Sequence, residues 1–135
     1  FIGQAALSGC SALQSVEIPE GVTDIIDLAF ENCVSLTSIS FPEAMTSIRS
    51  LVMKGCKGLE TIYLPSGITS VGGSAFAGCT AVMSVTCAAV TPPDVASNSF
   101  ADIAGQATLY VPAGSEGAYA ESGWGEHFTN IAAME

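Results

Sequence analysis

The stretch IIDLAFENCVSLTSISFP, residues 25–42, decides the architecture, because its pattern returns 23 residues later as IRSLVMKGCKGLETIYLP, residues 48–65. Further copies stand at residues 2–19, IGQAALSGCSALQSVEIP, and 71–88, VGGSAFAGCTAVMSVTCA. Aligned, the copies form columns. Cys10, Cys33, Cys56 and Cys79 make one, Leu13, Leu36, Leu59 and Val82 another, and Val16, Ile39, Ile62 and Val85 a third. Ile2, Ile25, Ile48 and Val71 keep the same step, as do Pro19, Pro42 and Pro65. Leu7, Phe30, Met53 and Phe76 supply one bulky residue per unit, next to the small column Ala6, Ala29, Val52 and Ala75. Self-similarity at a fixed step of this length marks a solenoid, in which each unit is one turn of a coil and equivalent residues stack.

Within each unit the segments LQSVEI, LTSISF, LETIYL and VMSVTC are apolar at their first, fourth and sixth positions, which predicts short parallel strands. Alternation along a strand turns Val16 and Ile18 inward and Ser15 and Glu17 outward, with the same division in later turns. Proline ends each strand because it has no amide hydrogen to give the ladder. The pairs Val22 and Ile25, Met45 and Ile48, and Ile68 and Val71 predict a second extended stretch on the opposite wall. LAFENC, LVMKGC and SAFAGC are too short for a long helix and read as helical turns. So thin a coil cannot bury its own apolar face and depends on its neighbours for stability.

The recurring form I-x-x-x-A-F-x-x-C-x-x-L-x-x-V-x-I-P resembles the BspA-type leucine-rich repeats, and Ile25 to Pro42 follow it almost position for position. The likeness covers about residues 1–90, and TPPDVASNSF with LYVPAGSEGAYAESGW resembles the closing segment of such proteins. The chain departs from the pattern at Leu7 and Met53, where Phe is usual, and at Ile26 and Arg49, where Gly is common. The resemblance implies a right-handed leucine-rich repeat-like solenoid with a C-terminal cap, in a secreted or cell-surface protein of host-associated bacteria. It further implies adhesion to host proteins.

The division expected is repeats over 1–90 and an atypical last turn with a cap over 91–135. Thr91-Pro92-Pro93 breaks the period, Phe100 and Ile103 belong to a fifth turn, and a last strand falls around Leu109-Tyr110-Val111. Ser115 to Ser122 reads as a short helix with Ser115 as N-cap. Trp124, Phe128 and Ile131 then cover the last turn, with Trp124 and Tyr119 as cap core rather than ligand platform. At the other end Phe1 and Ile2 already sit inside a turn, which predicts upstream repeats, with any export signal there, or a partner or second copy covering the uncapped edge, and self-association of the isolated piece.

Half of the residues are hydrophobic (49%) and only 12% are charged, which rules out a disordered chain and leaves enough apolar surface for a core. Polar residues interrupt every apolar run before it is long enough to span a bilayer. The formal net charge of −10 sets thirteen acidic groups against Arg49, Lys54 and Lys57. A chain of this sign repels phosphate backbones and anionic lipid, so nucleic acid is a poor partner.

Five cysteines raise the question of metal or disulfide. No C-x-x-C pair occurs and the single His127 lies far along the chain, so zinc is disfavoured and no cofactor is expected. Equivalent cysteines in stacked turns lie within disulfide reach, but side chains pointing in parallel bridge poorly, and buried free thiols are the reading adopted. Cys87 follows Leu64 by 23 residues and takes an inward strand position. Nucleotide-loop, serine-hydrolase, zinc-protease and calcium-loop motifs are absent, so an enzyme is not expected. A Cys79 or Cys87 nucleophile with His127, or the acid pairs Glu17 with Glu20 and Asp24 with Asp27, are the weaker catalytic alternatives.

Binding in a solenoid belongs to the outward side chains of its regular strand face. Those columns are Ser15, Ser38, Thr61 and Ser84, then Glu17, Ser40, Tyr63 and Thr86. Together they make a hydroxylic surface with one acid and one aromatic, suited to a host or matrix protein or a glycan. Tyr63 is singled out as a candidate exposed anchor, since tyrosine offers contact area with little entropy to lose, against the plainer reading that it only covers its strand neighbours. The competing reading is a structural spacer or cap of a larger surface protein, and an accessory to an enzyme comes last.

Overall fold

The computed structural model describes residues 3, 7–103, 105 and 107–134, so the expected core positions Phe1, Ile2 and Ala6 lie outside the described residues. In chain order the elements are β1 (Ser38–Ser40), β2 (Ser47–Ile48), β3 (Thr61–Leu64), β4 (Ser70–Val71), β5 (Ser84–Cys87) and β6 (Asp94–Val95). After them come β7 (Thr108–Val111), α1 (Glu116–Ala120), α2 (Trp124–His127) and β8 (Asn130–Ala133). Through β7, odd-numbered strands pair only with odd and even with even: one parallel sheet runs β1-β3-β5-β7, with β8 added beside β7, and a smaller one β2-β4-β6. That alternation is the signature of a coil with two sheet walls.

The period fixes the register. Ile39 lies opposite Ile62, Ile62 opposite Val85, and Val85 opposite Leu109, so each inward column is continuous and closed to water. On the second wall Ile48, Val71 and Val95 align in the same way. A one-residue slip would turn every one of these side chains outward, which is why the hydrophobic pattern specifies the pairing.

The segments between Cys and the second wall take the form of consecutive i→i−3 turns rather than α-helix: Ala29 donates to Ile26, Glu31 to Leu28, and Cys33 to Phe30. These turns form a third hydrogen-bonded wall. Phe30 and Asn32 donate to Val52 and Lys54 of the next turn, Met53 and Gly55 to Ala75 and Ala77, and Phe76 and Gly78 to Ser99 and Ala101. Aiming amides along the stack requires positive φ at Gly9, Asn32, Gly55 and Gly78, and again at Leu28, Leu51 and Ser74. Glycine or asparagine suits the first set; the second carries leucine twice and serine once in a conformation such residues rarely adopt.

The cysteine column links one turn to the one before it. The thiol of Cys33 donates to the Leu7 carbonyl at 3.1 Å, Cys56 to Phe30 at 3.1 Å, and Cys79 to Met53 at 3.3 Å. Cys33, Cys56, Cys79 and Cys87 are buried free thiols and Cys10 is half-buried. The bulky column continues past the break: Phe76 and Phe100 stack with centroids 5.2 Å apart and planes 7° from parallel. Trp124 and Phe128 each lie 5.2 Å from Phe100 and cover it.

Two expectations need correction. LQSVEI forms no strand; the Gln14 carbonyl accepts the Thr37 amide at 3.4 Å, but Leu13–Ile18 does not join the large sheet, whose edge is β1. The tail, in turn, does more than cap: β8 pairs with β7 with Leu109 opposite Ile131, extending the sheet by one strand. Thr86 to Tyr110 is a step of 24 and Tyr110 to Ala132 one of 22, so a search at 23 passes over both.

Candidate binding face

The outward columns stand in register on the large sheet. Ser38, Thr61, Ser84, Thr108 and Asn130 form one row, and Ser40, Tyr63, Thr86, Tyr110 and Ala132 the next. Of the eight positions expected from the sequence, Ser38, Ser40, Thr61, Tyr63, Ser84 and Thr86 are thus neighbours on one wall. Ser15 and Glu17 are exposed on the unpaired first segment, beside the sheet rather than in it. The sequence reading missed Thr108, Tyr110 and Asn130 because they fall off the 23-residue step. Their signal was the alternation of TLYV before Pro112, which places Leu109 and Val111 inside and Thr108 and Tyr110 out.

Tyr63 is held against its neighbours rather than standing free. It is half-buried, and its hydroxyl donates to Glu43 Oε2 at 2.9 Å, while Glu43 Oε1 accepts the Ser66 hydroxyl at 3.1 Å. Burial, and then the Glu43 carboxylate, raise the Tyr63 phenol above its ordinary value, so it stays a neutral donor. The exposed aromatic of this row is Tyr110, at 37% of its full accessibility.

Two grooves open beside the rows. One, about 530 Å³, lies in the gap between Val16–Glu20 and Ser40–Pro42, with Glu17 and Glu20 on its wall. The other, about 520 Å³, is lined by Thr86, Tyr110, Ala133 and Met134. A third, about 610 Å³, runs between Ser66–Thr69 and Ala88–Asp94 on the rim, where Val90 protrudes.

Of the residues considered for catalysis, His127, Cys79, Cys87 and Asp24 are engaged elsewhere, while Glu17 and Glu20 are exposed at a groove. His127 Nε2 lies 3.0 Å from the Ala96 carbonyl and its ring meets Phe100 edge-on. Burial pushes the thiols of Cys56 and Cys79 up to about 12, and that of Cys87 upward as well, which suppresses the thiolate a nucleophile needs. Cys87 Sγ sits 3.2 Å from the Tyr119 hydroxyl. Asp24 holds Arg49 through two bonds of 2.8 and 2.7 Å, and the guanidinium lowers the Asp24 carboxyl below the usual carboxylate value. Among the described residues no group of His, Cys, Asp and Glu is placed to hold a metal ion, and no helix is long and apolar enough to cross a membrane.

Tyr119 and Trp124 are fully buried, as cap core should be. Ser115 precedes α1 but its side chain does not cap it: its hydroxyl donates to the Val90 carbonyl at 2.9 Å.

None of the curated proteins matches the chain. The BspA type leucine rich repeat region matches residues 1–108, in 6 copies. A stack of parallel strands with one regular outward face is the architecture of an interaction scaffold. By its repeat, its register and a match that covers most of its length, the chain belongs to the BspA-type leucine-rich repeat family.

Proposed function

We propose that this chain is an extracellular interaction module of a bacterial surface protein, which binds a host or matrix protein or a glycan through the outward face of its large sheet. The register of that sheet carries the reading. It sets Ser38, Thr61, Ser84 and Thr108 beside Ser40, Tyr63, Thr86 and Tyr110 as two straight rows of hydrogen-bonding and aromatic groups. None of these side chains is closed off in the core, so the rows are a surface that packing does not use. Adhesion and a place at the cell surface are supported by the family, whose members are typically surface-associated. In this reading residues 1–90 are the repeat body, and 91–135 close it and extend its face.

The test is an array of matrix proteins and glycans probed with the whole chain and with Tyr63→Ala, Glu17→Lys and Thr86→Arg variants. The reading expects a hit that Thr86→Arg, in the middle of the face, removes while the melting temperature holds. Hits that survive all three substitutions would place binding elsewhere.

A further inference from the structure

We infer that the partner of this face is an extended polypeptide segment carrying a basic residue and, about five positions on, an apolar one. This rests on the strand face being the binding surface and adds the chemistry of what it takes. The formal net charge is −10, and the three cations stand off the strand face. Arg49 follows β2 and is tied to Asp24, while Lys54 and Lys57 belong to the turn wall. No Lys or Arg occurs in residues 13–20, 36–43, 59–66, 82–89 or 107–114, which make up the strand segments and their rims. An approaching chain therefore meets an uncompensated negative field on this wall, which steers and orients a cation.

The two ends of the face differ. At one end the groove between Val16–Glu20 and Ser40–Pro42 presents the carboxylates of Glu17 and Glu20. Tyr63 is the next residue in register after Ser40, and its hydroxyl is fixed by Glu43. The two carboxylates suit a guanidinium or ammonium group, which gains charge-assisted hydrogen bonds from them, while the Tyr63 ring stands one strand further along the face. At the far end the groove lined by Thr86, Tyr110, Ala133 and Met134 has no charged side chain among its described lining residues, and the exposed Tyr110 ring and Met134 offer the apolar part of a mixed surface to an apolar side chain. Ser40 and Tyr110 are three inter-strand steps apart, on the order of 14 Å, a span that about four to five extended residues cover.

The probe is a fluorescein-labelled nonapeptide of serine and threonine with arginine at its second position and leucine at its seventh, titrated into the whole chain and followed by anisotropy. Glu17→Lys combined with Glu20→Lys is expected to weaken binding about tenfold, Tyr110→Ser several-fold, and Glu121→Lys on the cap very little. A twin peptide with glutamate in place of arginine should not bind, and added salt should weaken the basic peptide. Equal binding of the acidic twin, or indifference to the Glu17, Glu20 and Tyr110 substitutions at unchanged melting temperature, overturns the inference. If the nonapeptide fails while Thr86→Arg still removes a hit on the array, this inference falls alone. If Thr86→Arg spares every hit, the strand-face reading falls with it.

Discussion

The Tyr119 hydroxyl donates to the Ala89 carbonyl at 2.6 Å across 30 residues of chain, and it is one of several bonds by which the cap holds the segment that breaks the period. Ser115 donates to Val90, Trp124 Nε1 to Pro93 at 2.9 Å, and His127 meets Ala96. Pro92 and Pro93 deny that segment amides for a ladder, so side chains from the cap supply the donors its carbonyls need. Tyr119→Phe leaves the Ala89 carbonyl buried without this donor and is expected to cost about 1–3 kcal/mol. Trp124→Ala also empties the site over Phe100 and should cost about 3–5 kcal/mol. Urea unfolding of the two variants measures both, and a Tyr119→Phe protein as stable as the parent would show that the hydroxyl holds nothing.

The cysteine column makes a separate prediction. Cys56→Val keeps a small apolar side chain in the core but removes the donor to the Phe30 carbonyl, at a cost of about 1–2 kcal/mol. Leu59→Ala, in the adjoining column, opens a cavity and should cost about 2–5 kcal/mol. Equal stability of Cys56→Val and the parent in urea would mean that the column is retained for packing alone.

Thiol reactivity follows from the same burial. Cys33, Cys56, Cys79 and Cys87 should resist a disulfide reagent at pH 8 while the chain is folded and react once it is unfolded, whereas half-buried Cys10 is the site open to reaction in the folded protein. Fast labelling of all five cysteines in native buffer would contradict the packed interior.

Stability should decline in alkali. The ordinary thiol value is 9.0 and burial raises Cys56 and Cys79 to about 12. Between those values the unfolded chain has lost the proton that the folded chain keeps. The contribution is therefore whole below about pH 9 and is lost as pH rises toward 12, at up to about 1.4 kcal/mol per pH unit for each thiol. Thermal melts from pH 8 to 11 should show the decline, and replacing both cysteines by valine should make it shallower, the part that remains coming from Cys87 and the other raised groups.

How much was legible in the sequence depends on where the information sits. Columns such as Ile39, Ile62 and Val85 repeat at the step of the coil, so register and core could be read directly, and the burial of Trp124 and Tyr119 followed from the need to close a coil end. The Tyr63–Glu43 bond joins residues 20 apart in different turns, and nothing in either segment announces it. The step from Thr86 to Tyr110 takes up an extra residue in the Ala88–Asp94 segment, which moved Thr108 and Tyr110 off the expected columns. The absence of a strand at Leu13–Ile18 is a pairing outcome that LQSVEI, taken by itself, does not encode.

The most direct test of the stack is a long-wavelength diffraction data set that locates the sulfur atoms. Turns that lie over one another place Cys10, Cys33, Cys56 and Cys79 in a single row, each sulfur roughly 5 Å from the next, at the strand spacing. Sulfurs scattered off any common line, or neighbours separated by more than twice that distance, would contradict the account and remove the rows of the proposed binding face with it.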